Sequence, residues 1–214
     1  VTRIADADGK TALMLHDSET VPAGNTAMFD QSGDISNPRL WYPNNSAFGS
    51  PHLYRVTSTV EIDGKTVDAV ESPFGIRTIT WDDNYGYVNG EKHLLNGFGN
   101  RNSYPALGAA VPPELQWKDV KLIADCNGSA LRVGHFPASV ATVSACDAYG
   151  VLVIQDSGDD EWALHGEPAL TYKKEYDRDM IIKYRNNPSV AVGESNNGIA
   201  SEKKGANYNS PPST

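Results

Sequence analysis

The hydrophobic rhythm of this chain changes once, near residue 77, and that change constrains the fold more than any other feature. Before it, short apolar runs at 11–15, 53–56 and 60–62 alternate with turn signals. Asp8-Gly9 and Asp63-Gly64 are dipeptides that favour tight hairpins. Residues 1–77 therefore read as a small antiparallel β-sandwich, partial or complete. After it, strand-sized and helix-sized segments alternate. Residues 88–95 read as a hairpin leading into a strand. Pro112-Pro113-Glu114 marks a helix start, and Leu115, Val120, Leu122 and Ile123 form its apolar stripe up to Asn127-Gly128. A buried strand at 130–133 follows, then a helix from about 138 to 149 that Gly150 stops. A strand at 151–154 is apolar on both faces, as parallel strands are. A helix from about 168 to 184 precedes a last strand at 190–192. Residues 78–214 thus predict a parallel sheet covered by helices. A doubly wound sheet and half of a barrel look alike at this level. No G-x-G-x-x-G fingerprint follows a strand, which counts against a dinucleotide fold.

Composition narrows the partners. The chain has 214 residues and a formal charge of −9, and its basic residues are scattered. That balance argues against nucleic acid. No apolar run approaches the ~18 residues that a membrane span needs, so no membrane partner is expected. Cys126 and Cys146 are the two cysteines. Both fall in segments read as helix interior, and two buried thiols fit better than a disulfide framework. A soluble protein is expected. The compartment stays open, periplasmic and secreted locations among the options, and no signal peptide pattern opens the chain. The start inside a strand pattern and the polar end resemble a segment of a longer protein.

Seven or more stretches, in order, resemble glycoside hydrolase family 2, which holds β-galactosidases, β-glucuronidases and β-mannosidases. Trp41-Tyr42-Pro43 and Pro51-His52-Leu53-Tyr54 are similar to the W-x-P…P-x-L-Y passage of its immunoglobulin-like domain. Phe74-Gly75-Ile76-Arg77 resembles the F-G-x-R that closes that domain. Asn89-Gly90-Glu91-Lys92 with Leu94-Leu95-Asn96-Gly97 resembles the lead-in to the barrel. Asp119-Val120-Lys121-Leu122-Ile123 resembles the first barrel helix. Leu131-Arg132-Val133-Gly134-His135-Phe136-Pro137 is similar to R-x-S-H-Y-P. Cys146-Asp147-Ala148-Tyr149-Gly150-Val151-Leu152-Val153 resembles C-D-x-x-G-L-x-V, and Arg185-Asn186-Asn187-Pro188-Ser189-Val190 resembles R-N-H-P-S-I. The resemblance implies the end of an immunoglobulin-like β-sandwich followed by the first half of a (β/α)8 TIM barrel. It also implies a carbohydrate substrate and retaining, exo-acting hydrolysis of O-glycosidic bonds without a required cofactor.

Such hydrolysis uses two carboxyl groups, ~5–5.5 Å apart in a retaining enzyme. In the family the acid/base follows the fourth barrel strand in W-x-x-G-N-E, and the nucleophile follows the seventh. Here the fourth-strand end reads Val192-Gly193-Glu194-Ser195-Asn196-Asn197-Gly198. The usual Trp and the usual Glu are both missing. The segment better resembles a divergent branch reading W-E-A-G-N-N, which makes Glu194 the candidate catalytic acid and Asn197 a substrate contact. The nucleophile would lie beyond residue 214. The resemblance also assigns Arg132 to holding catalytic carboxylates and His135 to the sugar pocket. A structural ion pair and a packed loop histidine are their plainer readings. Arg101 follows the first barrel strand in Asn100-Arg101-Asn102, where the family often has N-x-H; the usual His is missing, and Arg101 is a further candidate to face substrate. The loop Gln155-Asp156-Ser157-Gly158-Asp159-Asp160-Glu161-Trp162 is acidic. In it Asp159 or Asp160 is expected to bond sugar hydroxyls and Trp162 to stack on a ring, against the plainer reading of a solvated loop. Glu161 and His165 are the pair that a divalent cation would take, although spacing gives no signature for oxygen-ligand sites.

The competing reading is a non-catalytic carbohydrate-binding or degenerate relative, which the missing Glu and Trp favour. An unrelated α/β protein is the third. Four strands leave a barrel open, so the chain alone is expected to be inactive, with the rest of the enzyme or another copy completing it.

Overall fold

A computed structural model describes residues 1–101, 103–158 and 167–194. The chain forms two compact units: Val1–Leu40 with His52–Ile76, and Trp41–Pro51 with Arg77–Thr214.

The first unit is one antiparallel sheet. Its strands β1 (Thr2–Ala5), β2 (Thr11–Leu15), β3 (Tyr54–Ile62) and β4 (Lys65–Phe74) lie in the order β2-β1-β3-β4. Ile62 pairs with Lys65 across Asp63 and Gly64, whose φ angles are 51° and 73°. That two-residue loop with positive φ at both positions matches the twist of the flanking strands. Tyr54 is buried and its hydroxyl accepts the Arg39 N–H at 2.7 Å, with His52 packed edge-on to its ring. On β3 and β4, Val60, Ile62, Val67 and Val70 are exposed. This sheet is one layer of the expected sandwich.

The second unit begins with a small sheet of β5 (Ile79–Trp81), β6 (Gly86–Val88) and β7 (Glu91–His93), turned at Asn89-Gly90. Then come β8 (Gly97–Asn100), α1 (Pro113–Asp125), β9 (Ala130–Val133), α2 (Val140–Tyr149), β10 (Leu152–Asp156), α3 (Glu167–Tyr184) and β11 (Val190–Glu194). The four long-range strands are parallel and ordered β11-β10-β9-β8. Each strand lies beside its predecessor, with no reversal. A doubly wound sheet reverses at a switch point, so the consecutive order is that of a barrel. The hydrophobic core lies between strands and helices: Leu131, Val133 and Val153 meet Val120, Val143, Cys146 and Met180.

The helix ends follow from local chemistry. Pro113 opens α1, where its missing N–H costs nothing, and Asn127 (φ 62°) closes it as Gly128 N–H returns to Ile123 O. Ser139 caps α2 by accepting Thr142 N–H at 3.1 Å. Gly150 ends it at φ 74°, and a Cβ there would lie 2.5 Å from Pro51. The carbonyl of Gly150 accepts Asn44 N–H at 2.7 Å. Glycine is thus required both by its backbone angle and by close approach. Cys126 departs from expectation: it caps α1 and is exposed, whereas Cys146 is buried.

Residues 41–51 pack within the second unit, although the rhythm of the sequence groups them with residues 1–77. Trp41 is fully buried, and its indole N–H donates to Asp147 O at 2.8 Å. The Asp147 carboxylate accepts Ser189 N–H at 2.9 Å and the Asn187 amide at 2.6 Å. Arg77 donates to Pro188 O and Val190 O at 3.0 and 2.9 Å. This cluster pins the turn before β11.

Two consequences are measurable in the whole protein. Trp41→Ala should cost about 3–5 kcal/mol, the usual range for removing a buried aromatic, and denaturant midpoints would show it. A loss below about 1 kcal/mol would mean that Trp41 does not anchor the segment. Burial is the largest influence on Asp147 and raises its carboxyl above 3.8, with Ser189, Asn187 and Arg77 pulling the other way. A carboxyl that holds its proton more tightly when folded stabilises below its unfolded pKa and loses that contribution as pH rises through the folded one. Asp147→Asn should therefore flatten a decline in stability that begins near pH 3.8 and runs upward. Equal slopes in parent and variant, from urea titrations at several pH values, would refute this.

Candidate functional site

Three charged side chains of the second unit, Arg132, Asp156 and Glu194, meet toward the C-terminal ends of its parallel strands, where barrels carry their chemistry. Glu194 is the last residue of β11 and Asp156 the last of β10, and the two are in register. Arg132 on β9 pairs in register with Ile154, two residues before Asp156. Side chains alternate along a strand, so Ile154 and Asp156 share a face and the carboxylate comes within reach of the guanidinium.

The Arg132 fork holds Glu194 through two bonds, Nε to Oε2 at 2.8 Å and Nη2 to Oε1 at 2.7 Å. The same Nη2 lies 3.7 Å from Asp156 Oδ2. Planar bidentate geometry of this kind combines charge attraction with directional hydrogen bonding. Asp156 is fully buried, while the Arg132 and Glu194 side chains keep 33% and 25% of their exposure. The pair therefore faces an accessible space and Asp156 backs it from inside. Gly134 makes room: a Cβ there would stand 2.9 Å from Arg132 Nη1.

Beside this pair the end of β8 meets the loop after β9. Gly134 N–H donates to Asn100 O at 3.0 Å, and Arg101 Nη2 lies 3.3 Å from His135 Nε2. A guanidinium only donates, so Nε2 is the acceptor in this contact. On the far side Ser157 N–H donates to Glu194 O at 3.2 Å. Lys173, reaching from α3, donates to Ser157 Oγ and Gly158 O, each at 2.8 Å. Gly158 N–H in turn bonds Asp156 Oδ1 at 2.9 Å.

Four of the residues singled out from the sequence thus come together: Arg132, Glu194, His135 and Arg101. Asp159, Trp162 and Asn197 lie outside the described residues, as do Glu161 and His165, on which the divalent-cation expectation rests. Among the described residues no group of His, Cys, Asp and Glu could hold a metal ion. Sequence reasoning did not single out Asp156, Gly134 or Lys173. Asp156 stood inside the acidic run, and its strand parity with Ile154 was the available signal. Gly134, where the family motif carries Ser, was the signal for the room beside Arg132. Lys173 gave none, since a helix-surface lysine is ordinary. A cavity of about 290 Å³ lined by Tyr42, Phe48, His93 and Ser129 lies at the opposite, N-terminal ends of the strands. Burial lowers the His93 pKa there.

The chain is 33% identical over 205 residues to a β-glucuronidase of Formosa agariphila, a match covering 94% of this chain and 20% of that protein. It is 29% identical over 164 residues to a β-galactosidase of Thermoanaerobacter pseudethanolicus, covering 73% of this chain and 20% of the relative. A solved structure of a β-glucuronidase from glycoside hydrolase family 2 superposes with a TM-score of 0.80 at 32% identity, over 94% of this chain and 21% of the other. The chain spans about a fifth of the length of these relatives. The β-glucuronidase of Parabacteroides merdae shares the fold, with a TM-score of 0.77 at 23% identity over 92% of this chain and 24% of that one. The model of glycosyl hydrolases family 2 matches residues 1–77, and that of the family's TIM barrel domain matches residues 79–191. With consecutive parallel strands and a charged site at their C-terminal ends, these matches show that the chain belongs to glycosyl hydrolases family 2.

Proposed function

We propose that this chain is the part of a longer glycosidase that supplies the β8-to-β11 side of a sugar site, and that the whole protein cleaves O-glycosidic bonds by the retaining, exo-acting route. The observation that carries the reading is the Arg132 fork on Glu194, with Asp156 behind it, at the strand ends. The names of the relatives, β-glucuronidase and β-galactosidase, support the reaction class.

In this reading Glu194 is the proton donor to the departing oxygen. Both its oxygens accept from Arg132 in the closed pair, so donation requires the pair to open when a glycoside enters. Arg132 then turns to Asp156, already 3.7 Å away, and its charge stays compensated. That compensation matters because an unpaired charge in a water-poor site is costly. His135 and Arg101 stand beside the pair as groups for sugar hydroxyls, and Asp159, Trp162 and Asn197 remain proposed substrate contacts. No metal or cofactor enters the steps. The second carboxyl, the nucleophile, comes from the rest of the protein, which also closes the barrel.

A degenerate, sugar-binding relative is the second reading. The closed Arg132–Glu194 pair favours it, since a carboxylate held by two bonds is a good hydroxyl acceptor.

Glu194→Gln in the whole protein separates the two. A lost proton donor should lower kcat/KM about 10²–10⁴-fold for aryl glycosides with poor leaving groups and much less for those with good ones. A loss independent of leaving group would remove Glu194 from that role. The chain by itself should release no aryl alcohol from such substrates, because four strands leave the barrel and its second carboxyl incomplete. Multiple turnovers by the isolated chain would overturn the division of labour proposed here.

A further inference from the structure

We infer that Lys173, on α3, is a positioning residue for proton donation: it fixes the turn after β10 that presents Asp156 to Arg132. The inference rests on the proposed role of Glu194 and names what lets the Arg132–Glu194 pair open.

Lys173 shares one helical face with Met180 and Tyr184, which are buried. Met180 packs in the core, and the Tyr184 hydroxyl donates to Ala138 O at 2.6 Å. These contacts fix which face of α3 meets the sheet. Lys173, half-buried on that face, reaches the turn just past β10. Its ammonium donates to Ser157 Oγ and to Gly158 O, each at 2.8 Å. Both acceptors are uncharged, and among the described residues no carboxylate pairs with Lys173. Holding a long side chain in one geometry costs conformational entropy, which the two bonds offset.

The turn that Lys173 binds is tied to both carboxylates of the site. Ser157 N–H donates to Glu194 O at 3.2 Å, which carries the β10–β11 pairing one residue beyond Asp156. Gly158 N–H donates to Asp156 Oδ1 at 2.9 Å. With Oδ1 engaged, Oδ2 is the atom that stands 3.7 Å from Arg132 Nη2. Asp156 is fully buried, and its Oδ2 accepts no hydrogen bond. A buried acceptor left without a hydrogen bond is costly, and a small turn of the guanidinium away from Glu194 satisfies this one. Lys173 bonds the turn and not the carboxylates, so it acts through their placement. Without it, Gly158 N–H can leave Oδ1 and the Asp156 carboxylate can rotate. Arg132 then loses its second acceptor and stays on Glu194. The step that suffers is protonation of the departing oxygen, which poor leaving groups need and good ones do not.

The test uses the whole protein with dinitrophenyl, nitrophenyl and phenyl β-D-galactosides and β-D-glucuronides. Lys173→Met should lower kcat/KM about tenfold to hundredfold for the phenyl glycosides and less than about threefold for the dinitrophenyl ones. Lys173→Arg keeps the charge and two donors and should lose less; an equal loss in the two would mean that Lys173 supplies neither. Ser157→Ala removes one of the two acceptors and should show the same dependence at smaller size. Lys174→Met, at the exposed neighbour, should change nothing. In a Glu194→Gln background Lys173→Met should add no further dependence on leaving group, because residues that act on one step are not additive. A loss equal for all leaving groups is what a smaller folded fraction produces, and it overturns the inference. So do rates that Lys173→Met and Ser157→Ala both leave unchanged. If Glu194→Gln shows the leaving-group dependence and Lys173→Met does not, the positioning role falls alone. If Glu194→Gln loses rate equally on every leaving group, the acid role of Glu194 falls and this inference with it. No turnover of either sugar sinks both.

Discussion

The buried carboxylate of Asp147 organises the second unit. It lies on α2, yet its bonds run to Ser189 and Asn187 before β11, while its carbonyl receives the Trp41 indole. Arg77 stands close enough to pull its charge state and spends its own donors on Pro188 and Val190. Burying two charges is expensive, and it is tolerated because nearly every polar atom involved has a partner. The result is a clamp with contributions from residue 41, residue 77, α2 and the turn before β11. Removing one partner leaves the others buried and unsatisfied, which costs more than the missing bond itself.

That clamp and the site are coupled through β11, five residues long. Its first residue accepts from Arg77 and its last carries the carboxylate that Arg132 grips. A one-residue slip of β11 would turn Glu194 to the other face of the sheet, because strand side chains alternate. The clamp therefore sets which side chain Arg132 can reach. Asp156 adds a second constraint from β10, holding the guanidinium from within. The local sequence around Glu194 departs from the usual family pattern, but the geometry that supports the position does not depend on that pattern.

Much of this architecture is legible in the residues. Gly150 stops α2 for two reasons, and its place after an apolar helix-length run exposes both. Asp63-Gly64 and Asn89-Gly90 mark their turns because positive φ has few tolerant residues. Arg132, His135, Glu194 and Arg101 are visible through motif order. The assignment of residues 41–51 to the second unit is not visible, since Trp41 and Asn44 reach partners some eighty to a hundred residues away. Cys126 was misplaced because a helix end depends on where Asn127 turns, a shift of one or two residues. Lys173 binds Ser157 across a loop, and no periodicity encodes such a contact.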